Sequence, residues 1–267
     1  MSRYDPVLGI FAPDIPWVPT PAHIMRRAAI LDLIRVRQPG RVLEIGCGVG
    51  ALLYDLKSRG FHGKGVDTSK RALEIARQFH GGADNAFKID EQIREDDKDE
   101  YDYLMAFEVL EHIQDDRGAL SEWARCLRKG GILIGSMPAH RRRWGASDQW
   151  AGHVRRYDYQ DLEKLLTSTG FDLMDTYCYG FPLLNLLAPI SNYMSRKKIR
   201  RREAIANDVG PADATAASGA DRAMESRIFW LYSNLAAKAL FHVSIALQRI
   251  FRKSNLGTGF IFVARKK

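Results

Sequence analysis

From Arg41 onward, short apolar runs alternate with stretches of helical spacing. Arg41–Gly46 reads as a strand, 51–58 as a helix and 63–67 as a second strand. Ser69 caps a helix running to about Phe79, followed by strands over 86–89 and 101–107, a helix over 116–127 and an apolar strand over 132–136. A helix over 157–168, with Asp158 or its neighbour as cap, precedes a strand over 171–179. Strands separated by helical segments predict a parallel sheet covered on both faces. Upstream, Ile24, Ala28, Leu31 and Ile34 share a helix face within 22–36, and Pro39-Gly40 ends that helix. Residues 1–21 hold Pro6, Pro13, Pro16, Pro19 and Pro21 and read as an N-terminal extended arm.

The rhythm breaks over 181–256, which reads as a helical insertion. It holds an apolar stretch (181–190), a basic run (Arg196–Arg202), a Gly/Pro/Ala/Ser/Asp linker expected to be flexible near 207–222, and one long helix over about 223–252. A closing strand over 257–264 follows. Ile228–Leu247 is long enough to suggest a membrane span, but Lys238 near its middle costs about 2.5–3.5 kcal/mol on insertion. If the closing strand rejoins the sheet, both ends of the helix lie on one side of any membrane. The apolar face must then cover the core, meet a second copy of the chain in a homodimer, or lie on a bilayer through 181–202 and 224–252.

Composition adds less. Hydrophobic residues make up 46% and charged residues 27%, values of a soluble globular chain, and 1–267 is read as a single domain. Cys47, Cys126 and Cys178 lie far apart, which argues against a zinc ribbon or disulfide framework and suits a reducing, cytoplasmic setting. No signal peptide is read at the start. The net charge of +8 is concentrated between Arg125 and Arg202, where 15 Lys+Arg face 6 Asp+Glu. Such a field suits an anionic partner or a solvated basic face. No basic stripe with interleaved aromatics is present, so a nucleic-acid partner is not expected.

The chemistry starts at Val42-Leu-Glu-Ile-Gly-Cys-Gly-Val-Gly50. Its glycines allow a buried strand to turn sharply into a helix and a ligand to approach the backbone. Alone, Gly46-x-Gly48-x-x-Ala51 also fits a nicotinamide-dinucleotide fingerprint, and Asp67 at the next strand end suits a ribose diol under either reading. Together with Glu44, Asp90, the run Phe107-Glu-Val-Leu-Glu-His112 and the turn Leu127-Arg-Lys-Gly-Gly131, these residues resemble the class I S-adenosylmethionine-dependent methyltransferases.

That resemblance covers roughly 25–180 plus the closing strand. It implies a Rossmann-like, doubly wound α/β fold with a mostly parallel seven-stranded sheet and an antiparallel last strand. It also implies S-adenosylmethionine as cofactor. Gly46, Gly48 and Gly50 would pack on the methionine and ribose parts, Glu44 would orient the ammonium and Asp67 would hold the ribose. Asp90 would accept from the adenine amine, with the Glu91 N–H beside it, while Phe107 and Glu108 would line the methionine end. The 107–112 run is similar to that of the ubiquinone-biosynthesis O-methyltransferases, some of which use it for a divalent cation. Glu108, Glu111 and His112 would be the ligand candidates, but no metal is assigned from the sequence.

Residues 138–157 form a loop after the fifth strand and should roof the acceptor pocket, since ligands meet the C-terminal strand ends in such folds. Methylating a hydroxyl requires a base, and imidazole is the side chain suited to it. His153 is the first candidate, His140 the second, and Asp148 a partner. Arg142, Arg143, Arg155 and Arg156 could clamp an anionic acceptor. The resulting expectation is O-methylation of a small or lipid-linked metabolite. N- or C-methylation stands beside it, and a nicotinamide-dependent oxidoreductase or an RNA-binding methyltransferase further off.

Overall fold

The structure is a computed structural model that describes residues 2–12, 14, 15, 17–80, 86–205 and 223–267. The linker expected near 207–222 lies outside the described residues. The central sheet has seven strands: β3 (Arg41–Ile45), β4 (His62–Val66), β5 (Phe87–Asp90), β6 (Tyr101–Phe107), β7 (Leu127–Pro138), β8 (Phe171–Tyr179) and β9 (Gly259–Lys266), in the order β5-β4-β3-β6-β7-β9-β8. All neighbours pair in parallel except β9, which is antiparallel to both β7 and β8. The doubly wound sheet with an antiparallel last strand is therefore as expected. Strand order reverses between β3 and β6, which opens a crevice at their C-terminal ends.

Helices α1 (Pro21–Ile34), α2 (Ala51–Lys57) and α3 (Lys70–His80) lie before β5; α4 (Asp116–Ala124), α5 (Ala146–Ala151) and α6 (Tyr159–Ser168) follow β6. One apolar cluster joins Leu43 and Leu104 to Leu120, Leu162 and Leu166 of α4 and α6. On the opposite face Val42, Met105 and Ile134 pack with Ile30 and Ile34 of α1 and Leu53 and Leu56 of α2. These two clusters explain the near-continuous apolar strands, which are covered on both sides.

Five sequence expectations need correction. The proline-rich start is not an extended arm. It pairs β1 (Arg3–Asp5) with β2 (Gly9–Phe11), and Ile10 and Trp17 then pack on Val49 and Ala51 beside the glycine turn and on Ala72 and Ile75 of α3. Apolar partners elsewhere in the chain supplied the reason to fold. The single helix over 223–252 is two, α8 (Ala223–Ser233) and α9 (Leu235–Phe251), because Asn234 leaves helical geometry and its side chain caps the Ala237 N–H at 3.0 Å. The Lys129-Gly-Gly131 turn lies inside β7, and the 116–127 helix stops at Ala124. The roof contains α5, read from sequence as loop. The apolar stretch and basic run form α7 (Leu183–Ile205).

A buried ion pair fastens the hairpin to the domain. Arg27 of α1 and Asp55 of α2 are 4% and 1% exposed and meet two-pronged, with Nε to Oδ2 and Nη2 to Oδ1 both at 2.6 Å. Arg27 Nη1 donates to the Pro6 and Val7 carbonyls, and the Tyr4 hydroxyl donates to Asp55 Oδ1 at 3.0 Å. Removing one member of a buried pair strands the other's charge, so Asp55→Ala should destabilise the fold by about 3–5 kcal/mol in urea unfolding. Arg27→Met with Asp55→Leu should recover most of that loss.

Candidate active site

The chain leaves β3 through Gly46, Gly48 and Gly50, all at positive φ. Two have no room for a side chain. A Cβ at Gly46 (φ +67°) would stand 2.5 Å from Val109 Cγ2, and one at Gly50 (φ +71°) 2.6 Å from His80 Nε2. His80 was not singled out in the sequence, yet its buried ring meets the Gly50 carbonyl at 2.9 Å. Burial lowers its pKa, so the imidazole is neutral and can donate to that carbonyl.

Asp67, after β4, locks this turn. Its Oδ2 accepts from the Gly48 N–H and its Oδ1 from the Ser69 N–H, each at 2.8 Å. Asp90, at the end of β5, accepts from the Glu91 N–H at 2.8 Å and lies 2.9 Å from Arg94 Nε and 3.5 Å from Lys64 Nζ. Burial raises its pKa, but Arg94, Glu91 and Lys64 outweigh that and leave it below the usual carboxylate range. The Glu91 N–H, expected to face adenine, is thus engaged by its own neighbour.

Glu44 is 4% exposed, and its Oε2 has no hydrogen-bond partner among the described residues. Burial, then Asp67, push its pKa well up against the pull of Arg26. Glu108 is held at a left-handed φ of 57°, uncommon for a side-chain-bearing residue, by several contacts. Its N–H donates to the Ser136 carbonyl, and its Oε1 accepts from Ser136 Oγ at 2.8 Å and Tyr179 OH at 3.1 Å. Arg26 Nη1 lies 3.8 Å from its Oε2. Arg26 loses stabilisation of its charge by burial, but Glu108 and Tyr179 more than restore it. Phe107, at the end of β6, packs in the apolar cluster with Met105 and Tyr179.

The roof brings His153, Asp148, Glu111 and His112 together. Asp148, 1% exposed, accepts from His153 Nδ1 at 2.9 Å and Arg156 Nε at 2.7 Å. Burial raises the Asp148 pKa, but these two bonds dominate and keep it ionised. An ionised carboxylate only accepts, so the neutral His153 ring carries its proton on Nδ1 and a lone pair on Nε2. That Nε2 lies 3.9 Å from Glu111 Oε1. Glu111 is fully buried, neither oxygen has a hydrogen-bond partner among the described residues, and burial and then Glu108 drive its pKa well up. His112 crosses the His153 ring edge-on at 4.8 Å, and burial and then His153 depress its pKa to about 4.

His140 packs against Phe260 at 5.5 Å and its backbone N–H donates to the Tyr157 carbonyl, while its buried Nε2 has no hydrogen-bond partner among the described residues. Arg143 donates to the Gly257 and Leu256 carbonyls, Arg155 bonds Asp116 and the Gln114 carbonyl, and Arg156 bonds Asp148 and the Ala139 carbonyl. Three of the four expected oxyanion clamps therefore brace the loop.

With the glycine cradle, the acid at each strand end and the strand order in place, comparison with known proteins is decisive. A family profile described as a methyltransferase domain matches residues 22–176, more than half of the chain. The chain belongs to the class I S-adenosylmethionine-dependent methyltransferases. Among similar proteins are ubiquinone biosynthesis O-methyltransferases of Alkalilimnicola ehrlichii, 33% identical over 35% of this chain and 40% of the relative, and of Hahella chejuensis, 33% identical over 39% and 47%. The matched segment thus spans less than half the length of those relatives. A solved S-adenosylmethionine-dependent methyltransferase from Mesorhizobium loti shares the fold with TM-score 0.54, at 14% identity over 90% of this chain and 98% of its own.

The residues of this methyltransferase fit its cofactor. Glu44 is a buried carboxylate with an unsatisfied oxygen suited to an ammonium group, and the turn beside it excludes side chains at Gly46 and Gly50. Replacing Asp67 by Ala frees two amides of the turn. Titration calorimetry with S-adenosylhomocysteine should show affinity lowered by at least about tenfold, as loss of charge-assisted hydrogen bonds predicts.

Proposed function

We propose that this methyltransferase methylates a hydroxyl of a small or lipid-linked acceptor, with His153 as the base. The observation that carries this reading is the Asp148–His153 bond, which fixes the tautomer and leaves Nε2 beside the 108–112 run. The names of the O-methyltransferase relatives support it. When bound, the cofactor supplies an electrophilic methyl group on a sulfonium. Glu44 and Glu108 would receive the cationic end of the ligand, Arg26 its carboxylate, Asp67 the ribose and Asp90 the adenine edge. His153 Nε2 takes the acceptor's hydroxyl proton, and Asp148 stabilises the imidazolium that forms. His140 braces the roof.

The clustering of Glu111, His112 and His153, with ligand atoms within 4.8 Å of one another, favours a second reading. A buried carboxylate with no hydrogen-bond partner is either protonated or coordinated, so the donor set fits a divalent cation. When bound, such an ion would bind an acceptor oxygen and lower its pKa. Glu108 stays outside this set, tied to Ser136 and Tyr179.

Labelled S-adenosylmethionine incubated with metabolite and lipid extracts should place label on a hydroxyl-bearing product. His153→Ala and Asp148→Asn should lower turnover about 10²–10⁴-fold with little change in cofactor affinity. A silent His153→Ala would point to an amine acceptor instead. Turnover abolished by EDTA, with metal content lost in Glu111→Gln, would favour the cation reading.

A further inference from the structure

Among the described residues, two helical faces of the insertion have no cover. Along α7, Leu186, Ile190 and Tyr193 point outward, and Arg196, Lys197 and Arg200 continue the same stripe at intervals of three and four residues. On α8 and α9, Trp230 is 68% exposed, Leu235 86% and Ile250 72%, with Leu240 and Val243 between them. The start of α7 touches the end of α9, and the C-terminal half of α7 touches the start of α8. Phe181, just before α7, meets Phe251 at the end of α9 with ring centroids 5.0 Å apart, while Lys198 reaches Glu225 at the start of α8 at 3.4 Å.

We propose that α7, α8 and α9 form a docking surface for an anionic lipid bilayer, on which the protein lies without crossing it. No helix among the described residues is long and apolar enough to span a membrane. The surface combines exposed aliphatic side chains for the acyl boundary, Tyr193 and Trp230 at interfacial depth, and a cationic row for anionic headgroups. Among the described residues no carboxylate pairs with Arg196, Lys197 or Arg200. Charge also decides between a bilayer and a second copy of the chain, since a two-fold self-interface would bring these cationic rows toward one another.

The surface adjoins the acceptor roof. The Ser147 N–H of α5 donates to Asn192 Oδ1 of α7 at 3.0 Å, the Ser147 and Ser191 hydroxyls meet at 3.0 Å, and Lys198 lies over the Trp150 ring at 5.3 Å. Docking would thus set a bilayer against the element that carries Asp148. Only the delivery of a lipid-linked acceptor rests on the proposed function; the docking surface stands without it.

The test is co-sedimentation of the full chain with vesicles of phosphatidylcholine alone or mixed with phosphatidylglycerol. Binding is expected only to the mixed vesicles and should weaken with salt. Leu235→Glu with Val243→Glu, and separately Arg196→Gln with Lys197→Gln and Arg200→Gln, should each lower it at least about tenfold. Circular dichroism and S-adenosylhomocysteine binding should stay unchanged in both variants. If a variant misfolds, quenching of wild-type fluorescence by brominated lipid, diminished in Trp230→Phe, still decides. The proposal is overturned if mixed vesicles bind nothing at low salt, or if only the cation changes matter, as for a nucleic-acid site. It is also overturned if light scattering shows a dimer that Leu235→Glu with Val243→Glu dissolves while vesicles do not bind. Turnover of a soluble acceptor without vesicles tests the chemistry separately.

Discussion

The buried Arg27–Asp55 pair sets the geometry on which the cofactor end of the molecule depends. A desolvated guanidinium and carboxylate are tolerable only when nearly every donor and acceptor is used. Here Tyr4, Pro6 and Val7 complete the set. The pair therefore holds three things at once: α1 against α2, and the N-terminal hairpin against both. The hairpin's Ile10 and Trp17 then press on Val49 and Ala51 beside the glycine turn. With Arg27 turned toward Asp55, the adjacent Arg26 points in another direction around the helix, toward Glu108.

Arg26 is the cation that makes the rest of the site electrostatically possible. Glu44, Glu108 and Glu111 converge at the ends of β3 and β6, where burial disfavours the charged forms of Glu44 and Glu111. Glu108 accepts from Ser136 and Tyr179 and faces Arg26, whereas Glu44 and Glu111 have oxygens without hydrogen-bond partners among the described residues. A crevice of this kind favours a cationic ligand. On the roof side the same logic separates two acids that face opposite nitrogens of the His153 ring. Asp148 is kept ionised by His153 and Arg156, while burial and Glu108 disfavour a charge on Glu111.

The sequence by itself determined the sheet. Its strands are buried on both faces, so their apolar runs stood out, and the sharp turns at their ends required glycine or acid at fixed positions such as Gly46, Gly48, Asp67 and Asp90. These are local constraints, legible without partners. Only the tertiary structure decided the rest. The first residues fold because Val49, Ala72 and Asp55 lie elsewhere in the chain to receive them, a pairing no local pattern announces. The roles of Arg26, His80, Ser136 and Tyr179 arise from elements distant in sequence meeting at one crevice, and the only available signal was an arginine pair interrupting an apolar helix face. Likewise, Asp148 and His153 could be named as candidates from the sequence. That Asp148 fixes the His153 tautomer, that Glu111 and His112 join them, and that three roof arginines are used to brace the loop all depend on distances that only the folded chain sets.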